Sequence, residues 1–131
     1  MSSTTNPCAR EIKFAGEVRT FSLNDPTVLT TIAGGHDMRN LQLLMKFSGQ
    51  RPLAGQYGDT LAACLKRFLE QVYSVSDIEN VIALGLIGGG MAADEAFRLV
   101  KEHVTGKPLA ANALIASEVI SALFVGAAEA A

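Results

Sequence analysis

The chain has 131 residues, 49% of them hydrophobic, and a net charge of −2, which fits one domain with a single modest core and excludes a disordered chain. No Lys/Arg cluster provides the footprint of a nucleic-acid binder, and no apolar run reaches the ~18 residues of a membrane span. Aromatic residues are only 6% and Trp is absent, so the core has to be built mostly from Leu, Ile, Val and Ala.

Residues 1–8 are Ser/Thr-rich, lack the apolar run of a signal peptide and read as a flexible tail. A single domain is expected over residues 9–126. Residues 11–23 read as a β-hairpin: Ile12 and Phe14 alternate before the turn Ala15-Gly16-Glu17, and Phe21 and Leu23 follow it. A two-stranded hairpin is marginal alone and must pack on helices. Asp25-Pro26 opens a short helix, with Asp as N-cap and Pro at the first helical position; Gly34-Gly35 closes it. A second helix is expected over residues 38–47, capped by Asp37, with Met38, Leu41, Leu44 and Met45 at helical spacing. Residues 50–58, with one Pro and two Gly, read as a loop.

Asp59 is expected to cap a third helix reaching Tyr73, with Leu61, Leu65, Phe68, Leu69 and Val72 on its inner face. The next segment has a sharper signature. Ser76 with Glu79 three residues on has the form of a capping box, Val81 to Ile87 is the apolar body, and Gly88-Gly89-Gly90 is the stop. A helix over residues 92–104 then points Phe97, Val100 and Val104 inward, and Thr105-Gly106-Lys107 breaks it. Pro108 starts an Ala-rich helix to about Gly126, and residues 127–131 fray. The fold class is therefore mainly α with an N-terminal β-hairpin, an α+β small helical bundle.

Few residues suggest chemistry. Gly88-Gly89-Gly90-Met91-Ala92-Ala93 fits the loose G-x-G-x-x-A form of a dinucleotide fingerprint, but that motif needs a strand before it, and the capping box argues for helix. Gly106-Lys107 lacks the upstream glycine of a P-loop. His36-Asp37 and His103 have no second His or Cys at ligand spacing, so no metal site is expected. Asp94-Glu95 falls in the first turn of a helix, where carboxylates favour the dipole. Two cysteines, Cys8 and Cys64, make no disulfide framework and fit a reducing, cytoplasmic setting. Neither catalytic residues nor a cofactor are expected, and the chain reads as non-enzymatic.

The last helix is apolar over more than one face, with Asn112, Ser117, Glu118 and Ser121 leaving a narrow polar stripe. Such a helix is either central in the core or faces a partner. Leu114, Ile115, Val119, Leu123 and Phe124 are the candidate partner-binding residues.

Four pieces in order, best over residues 59–126, resemble one family: the hairpin, the run from Val81 to Gly90, Glu95-Ala96-Phe97-Arg98-Leu99-Val100, and Lys107-Pro108-Leu109 leading into the final helix. The arrangement resembles the small tail assembly chaperones of gene transfer agents and tailed phages, which carry the older label of tail tube proteins. The resemblance implies a protein that binds the tape measure protein, a long helical chain, during tail morphogenesis. A structural tail component retained in the particle is the alternative, and a small nucleotide-binding enzyme is a second. The expected partners are a tape measure or tail protein, or a second copy of the chain, with no nucleic acid and no membrane.

Overall fold

The computed structural model describes residues 7–26, 28–29, 55–58 and 60–126. Strands β1 (Arg10–Phe14) and β2 (Glu17–Phe21) form an antiparallel hairpin and are followed by helices α1 (Leu61–Leu69), α2 (Val75–Gly88), α3 (Ala93–His103) and α4 (Leu109–Val125). This is the expected mainly α class with an N-terminal hairpin. The expected closing Gly34-Gly35, the helix over residues 38–47 and the cap Asp59 lie outside the described residues.

The hairpin turns on two residues. Phe14 pairs with Glu17, and Ala15 and Gly16 between them take φ of +56° and +85°, the left-handed values a type I′ turn requires at both central positions. Alternation then places Ile12 and Phe14 towards the core and Glu11 and Lys13 on the exposed face. Phe14 meets Phe21 edge to face at 6.0 Å between ring centroids. Past β2, Asp25 caps a helical turn as expected: its Oδ2 accepts from Val28 N–H at 3.3 Å and its carbonyl from Leu29 N–H at 2.9 Å.

Helix α2 is the centre of the fold. Every residue from Asp77 to Leu86 is buried, because β2, α3 and α4 all pack around it. A helix apolar on all sides has to be enclosed on all sides. The capping box lies two residues earlier than Ser76 and Glu79 suggest. Ser74 is the N-cap: its Oγ accepts from Asp77 N–H at 3.1 Å, and Asp77 Oδ2 accepts from Ser74 N–H at 2.9 Å. Asp77 wins this role because the same carboxylate also binds Arg67 on α1. Glu79 turns inward instead and accepts from Thr105 Oγ1 at 2.7 Å.

Helix α1 is rotated from its expected face and is shorter. Thr60 caps it, accepting from Ala63 N–H, and the helix ends at Leu69 rather than Tyr73. Ala63, Cys64, Arg67 and Phe68 are buried, Leu61 and Leu65 are half-buried, and Leu69 and Val72 are exposed. Burial of Arg67 sets this phase. Gln71 in the left-handed region (φ +61°) then reverses the chain, with Val72 N–H donating to Arg67 O and Gln71 N–H to Phe68 O, the two bonds of a Schellman end.

Helix α3 follows expectation, with Phe97, Val100 and Val104 buried. Helix α4 begins after Pro108 as expected, but Asn112 leaves the anticipated polar stripe. It is buried, and its Nδ2 donates to His103 O at 3.1 Å.

The assignment of the cap gives a direct comparison. Ser74→Ala should lower stability by about 1 kcal/mol, the usual cost of losing an N-cap, whereas Ser76→Ala should shift the denaturant midpoint little. Equal losses for the two variants would contradict the cap position.

Candidate functional site

The glycine run after residues 81–87 is the strongest sequence candidate for a ligand loop. Residues 81–87 are helical, so the strand that a dinucleotide fingerprint needs is not in front of the glycines. A Cβ on Gly88 would lie 1.9 Å from Ser22 O, and one on Gly89 would lie 2.0 Å from Thr20 O. One turn earlier, a Cβ on Gly85 would come within 3.0 Å of Val119 Cγ1 and 3.1 Å of Phe21 Cδ2. The three glycines thus form one stripe against which the backbone of β2 lies directly, and Ser22 N–H donates to Gly85 O at 2.9 Å across the seam. Gly90 has a different task. Its φ is +114°, and the bonds Gly90 N–H to Ile87 O and Met91 N–H to Leu86 O close a second Schellman end.

A shallow groove of about 330 Å³ runs beside this seam, lined among others by Glu17, Arg19, Gly90, Met91 and Glu95. Its carboxylates oppose anion binding. Its arginine is already committed, with Arg19 Nε donating to Phe14 O at 2.8 Å. The seam is a packing device.

A buried charge pair lies elsewhere. Arg67 and Asp77 are each 1% exposed. Arg67 Nε donates to Asp77 Oδ2 and Nη2 to Oδ1, both at 2.7 Å, a bidentate fork. Nη1 donates to Gln56 O at 2.9 Å and Gly58 O at 3.1 Å. One guanidinium thereby joins α1, the N-terminus of α2 and the 55–58 turn. Gly55 makes room for it, since a Cβ there would meet Arg67 Cζ at 2.9 Å. Burial alone would depress the Arg67 pKa, but the hydrogen bonds and charge of Asp77 outweigh it and raise it. Burial also pushes the neighbouring Cys64 thiol up to about 12, with Asp77 adding to the rise and Arg67 opposing it. Cys64 is therefore a protonated core thiol with no nucleophilic character near neutral pH.

Sequence reasoning missed this pair. Arg67 follows Lys66 on a short helix and has the look of a solvated charge; the signal that could have pointed to its partner is Asp77 three residues after Ser74, the spacing of a capping box. Among the described residues no group of three His, Cys, Asp or Glu could hold a metal, and His36 and Asp37 lie outside them. Asp94 and Glu95 sit exposed in the first turn of α3, as expected for a dipole-favoured position. No helix among the described residues is long and apolar enough to cross a membrane.

The candidate partner face on α4 divides. Val119 is 1% exposed and belongs to the core, where it packs beside Gly85. Ile115 and Leu123 are half-buried against the core. Leu114, 73% exposed, and Phe124, 47% exposed, face outward. The helix is thus a core element on one side and an exposed surface on the other. A second exposed apolar group, unforeseen from sequence, comes from Leu69, Val72 and Val75 at the α1–α2 corner. It arises from the rotation of α1.

The architecture defines a small mainly α protein with a hairpin fastened to its central helix. The family model described as phage tail tube protein, GTA-gp10, matches residues 8–126, and the chain belongs to this gene-transfer-agent and phage tail family. No curated protein and no solved structure matches the chain. The family description fits a tail component better than an assembly chaperone.

The seam predicts an inverted glycine effect. In an ordinary helix, Gly→Ala gains about 1 kcal/mol. Gly88→Ala and Gly89→Ala should instead each cost ~1–3 kcal/mol or more, because the added methyl overlaps a β2 carbonyl. Chemical denaturation measures the sign, and a stabilised Gly89→Ala variant would refute the packing.

Proposed function

We propose that this chain is a structural component of a phage-like tail, retained in the assembled particle and working through contacts with other proteins rather than through catalysis. The family match over residues 8–126 carries this reading. The interior supports it, because its buried charges and Asn112 serve the fold, while Asn80 Oδ1 is the one buried side-chain oxygen or nitrogen without a partner among the described residues. Arg67 and Asp77 lock two helices and a turn, Glu79 holds Thr105, and Asn112 holds the end of α3. Exposed Leu114, Phe124 and Val125 on α4, and Leu69, Val72 and Val75 at the α1–α2 corner, offer apolar surface to neighbouring tail proteins.

Quantitative mass spectrometry of purified particles tests the proposal. The chain is expected in particles at a fixed copy number relative to other tail proteins. Its absence from particles, with recovery from lysates in complex with a long helical tape measure protein, would overturn the structural reading in favour of the assembly chaperone.

A further inference from the structure

The hairpin has two edges, and they are not equivalent. A two-residue turn closes on a hydrogen-bonded pair, here Phe14 with Glu17, and such pairs alternate along the ladder with non-hydrogen-bonded ones. Ile12–Arg19 and Arg10–Phe21 are therefore the next bonded pairs. Glu11 and Lys13 on β1, and Val18 and Thr20 on β2, direct their backbone groups away from the hairpin. The bond from Ser22 N–H to Gly85 O fits this alternation, since Ser22 lies on the same outward side as Val18 and Thr20. The outward edge of β2 is thus covered by α2 over its last residues, where Thr20 O and Ser22 O rest on Gly89 and Gly88. Among the described residues the outward edge of β1 has no such cover at Glu11 and Lys13: both are exposed, and neither makes a backbone bond beyond the hairpin.

We propose that the β1 edge binds the β1 edge of a second copy of this chain, antiparallel and about a two-fold axis at Ile12, giving a four-stranded sheet across a closed dimer. The charge pattern selects both occupant and register. With Ile12 opposite Ile12 of the second copy, Glu11 lies opposite the second copy's Lys13, and Lys13 opposite its Glu11. These are the residues whose N–H and C=O groups point outward, so the backbone bonds and the two ion pairs form in one register. Slipping one strand by one residue withdraws the outward groups from pairing, and slipping it by two brings like residues face to face, Glu11 on Glu11 or Lys13 on Lys13. Because α2 occupies the β2 edge at Thr20 and Ser22, only Val18 of the outward residues is left uncovered there, too short an edge to extend the sheet beyond two copies. The proposal is independent of whether the chain stays in the particle.

Charge reversal tests it. Within the hairpin, Glu11 pairs with Thr20 and Lys13 with Val18, both uncharged, so reversal leaves the fold's own pairing intact. Sedimentation equilibrium at up to about 1 mM should show a monomer–dimer equilibrium for the native chain. Glu11→Lys alone and Lys13→Glu alone each place like charges opposite twice and should weaken the dimer by roughly tenfold or more. The double exchange should restore it. As a readout on the native chain, a sample mixing isotope-labelled and unlabelled copies should show an intermolecular Ile12 Hα–Ile12 Hα contact, because this non-hydrogen-bonded pair brings the two backbones closest. A native monomer throughout, a dimer indifferent to the single reversals, failure of the double exchange to restore it, or a dimer without the Ile12 contact would each overturn the proposal.

Discussion

The backbone of β2 touches the last turn of α2 more closely than any side chain would allow, and most of the architecture follows from that approach. Gly85, Gly88 and Gly89 clear one stripe of the helix, and the carbonyls of Thr20 and Ser22 occupy it. This contact fastens a hairpin that would be marginal alone to the most buried helix of the molecule. It orients the hairpin so that Phe14 and Phe21 enter the core. It also covers one sheet edge and leaves the other exposed. Gly90 adds the chain reversal that sends α3 back along α2.

The other end of α2 is held by a different force. Taking Arg67 and Asp77 out of water is costly, and a well-packed apolar pair in their place could be as stable. Once the pair is buried, however, removal of one partner leaves an uncompensated charge worth about 3–5 kcal/mol, a large share of the ~5–15 kcal/mol that holds a domain folded. The fork therefore selects one arrangement of α1, α2 and the 55–58 turn over others. It also explains two local features together: the cap at Ser74 rather than Ser76, and the turn of α1 that leaves Leu69 exposed.

The elements with strong local grammar were legible in the sequence. The Ala15-Gly16 turn, the Asp25 cap, the glycine stop, the apolar face of α3 and the start of α4 after Pro108 all rest on residues whose backbone preferences act nearby. The misplaced features depend on a partner distant in sequence. Ser74 and Ser76 are equivalent in pattern until Arg67 claims Asp77, and nothing local in the sequence shows that Arg67, a charged residue, sets the buried face of α1. The glycine run was recognised as a helix stop, yet its main task, admitting β2, depends on residues about 65 positions away in the chain. On α4, apolarity alone did not separate Val119, which the core requires, from Leu114, which it does not.

For a member of a phage tail family, this arrangement gives a helical body with one hairpin docked on its central helix and apolar side chains left exposed. The central claim is that the hairpin is docked on α2 as part of the core rather than appended to it. Native-state hydrogen exchange of the Ser22 amide tests this most directly, because that proton is bonded to Gly85 O across the seam between hairpin and helix. The account predicts that it exchanges only with global unfolding, at the same free energy as the Ile82 and Leu84 amides of α2. Rapid exchange at Ser22 while those helix amides stay protected would show a hairpin that detaches on its own and would contradict the account.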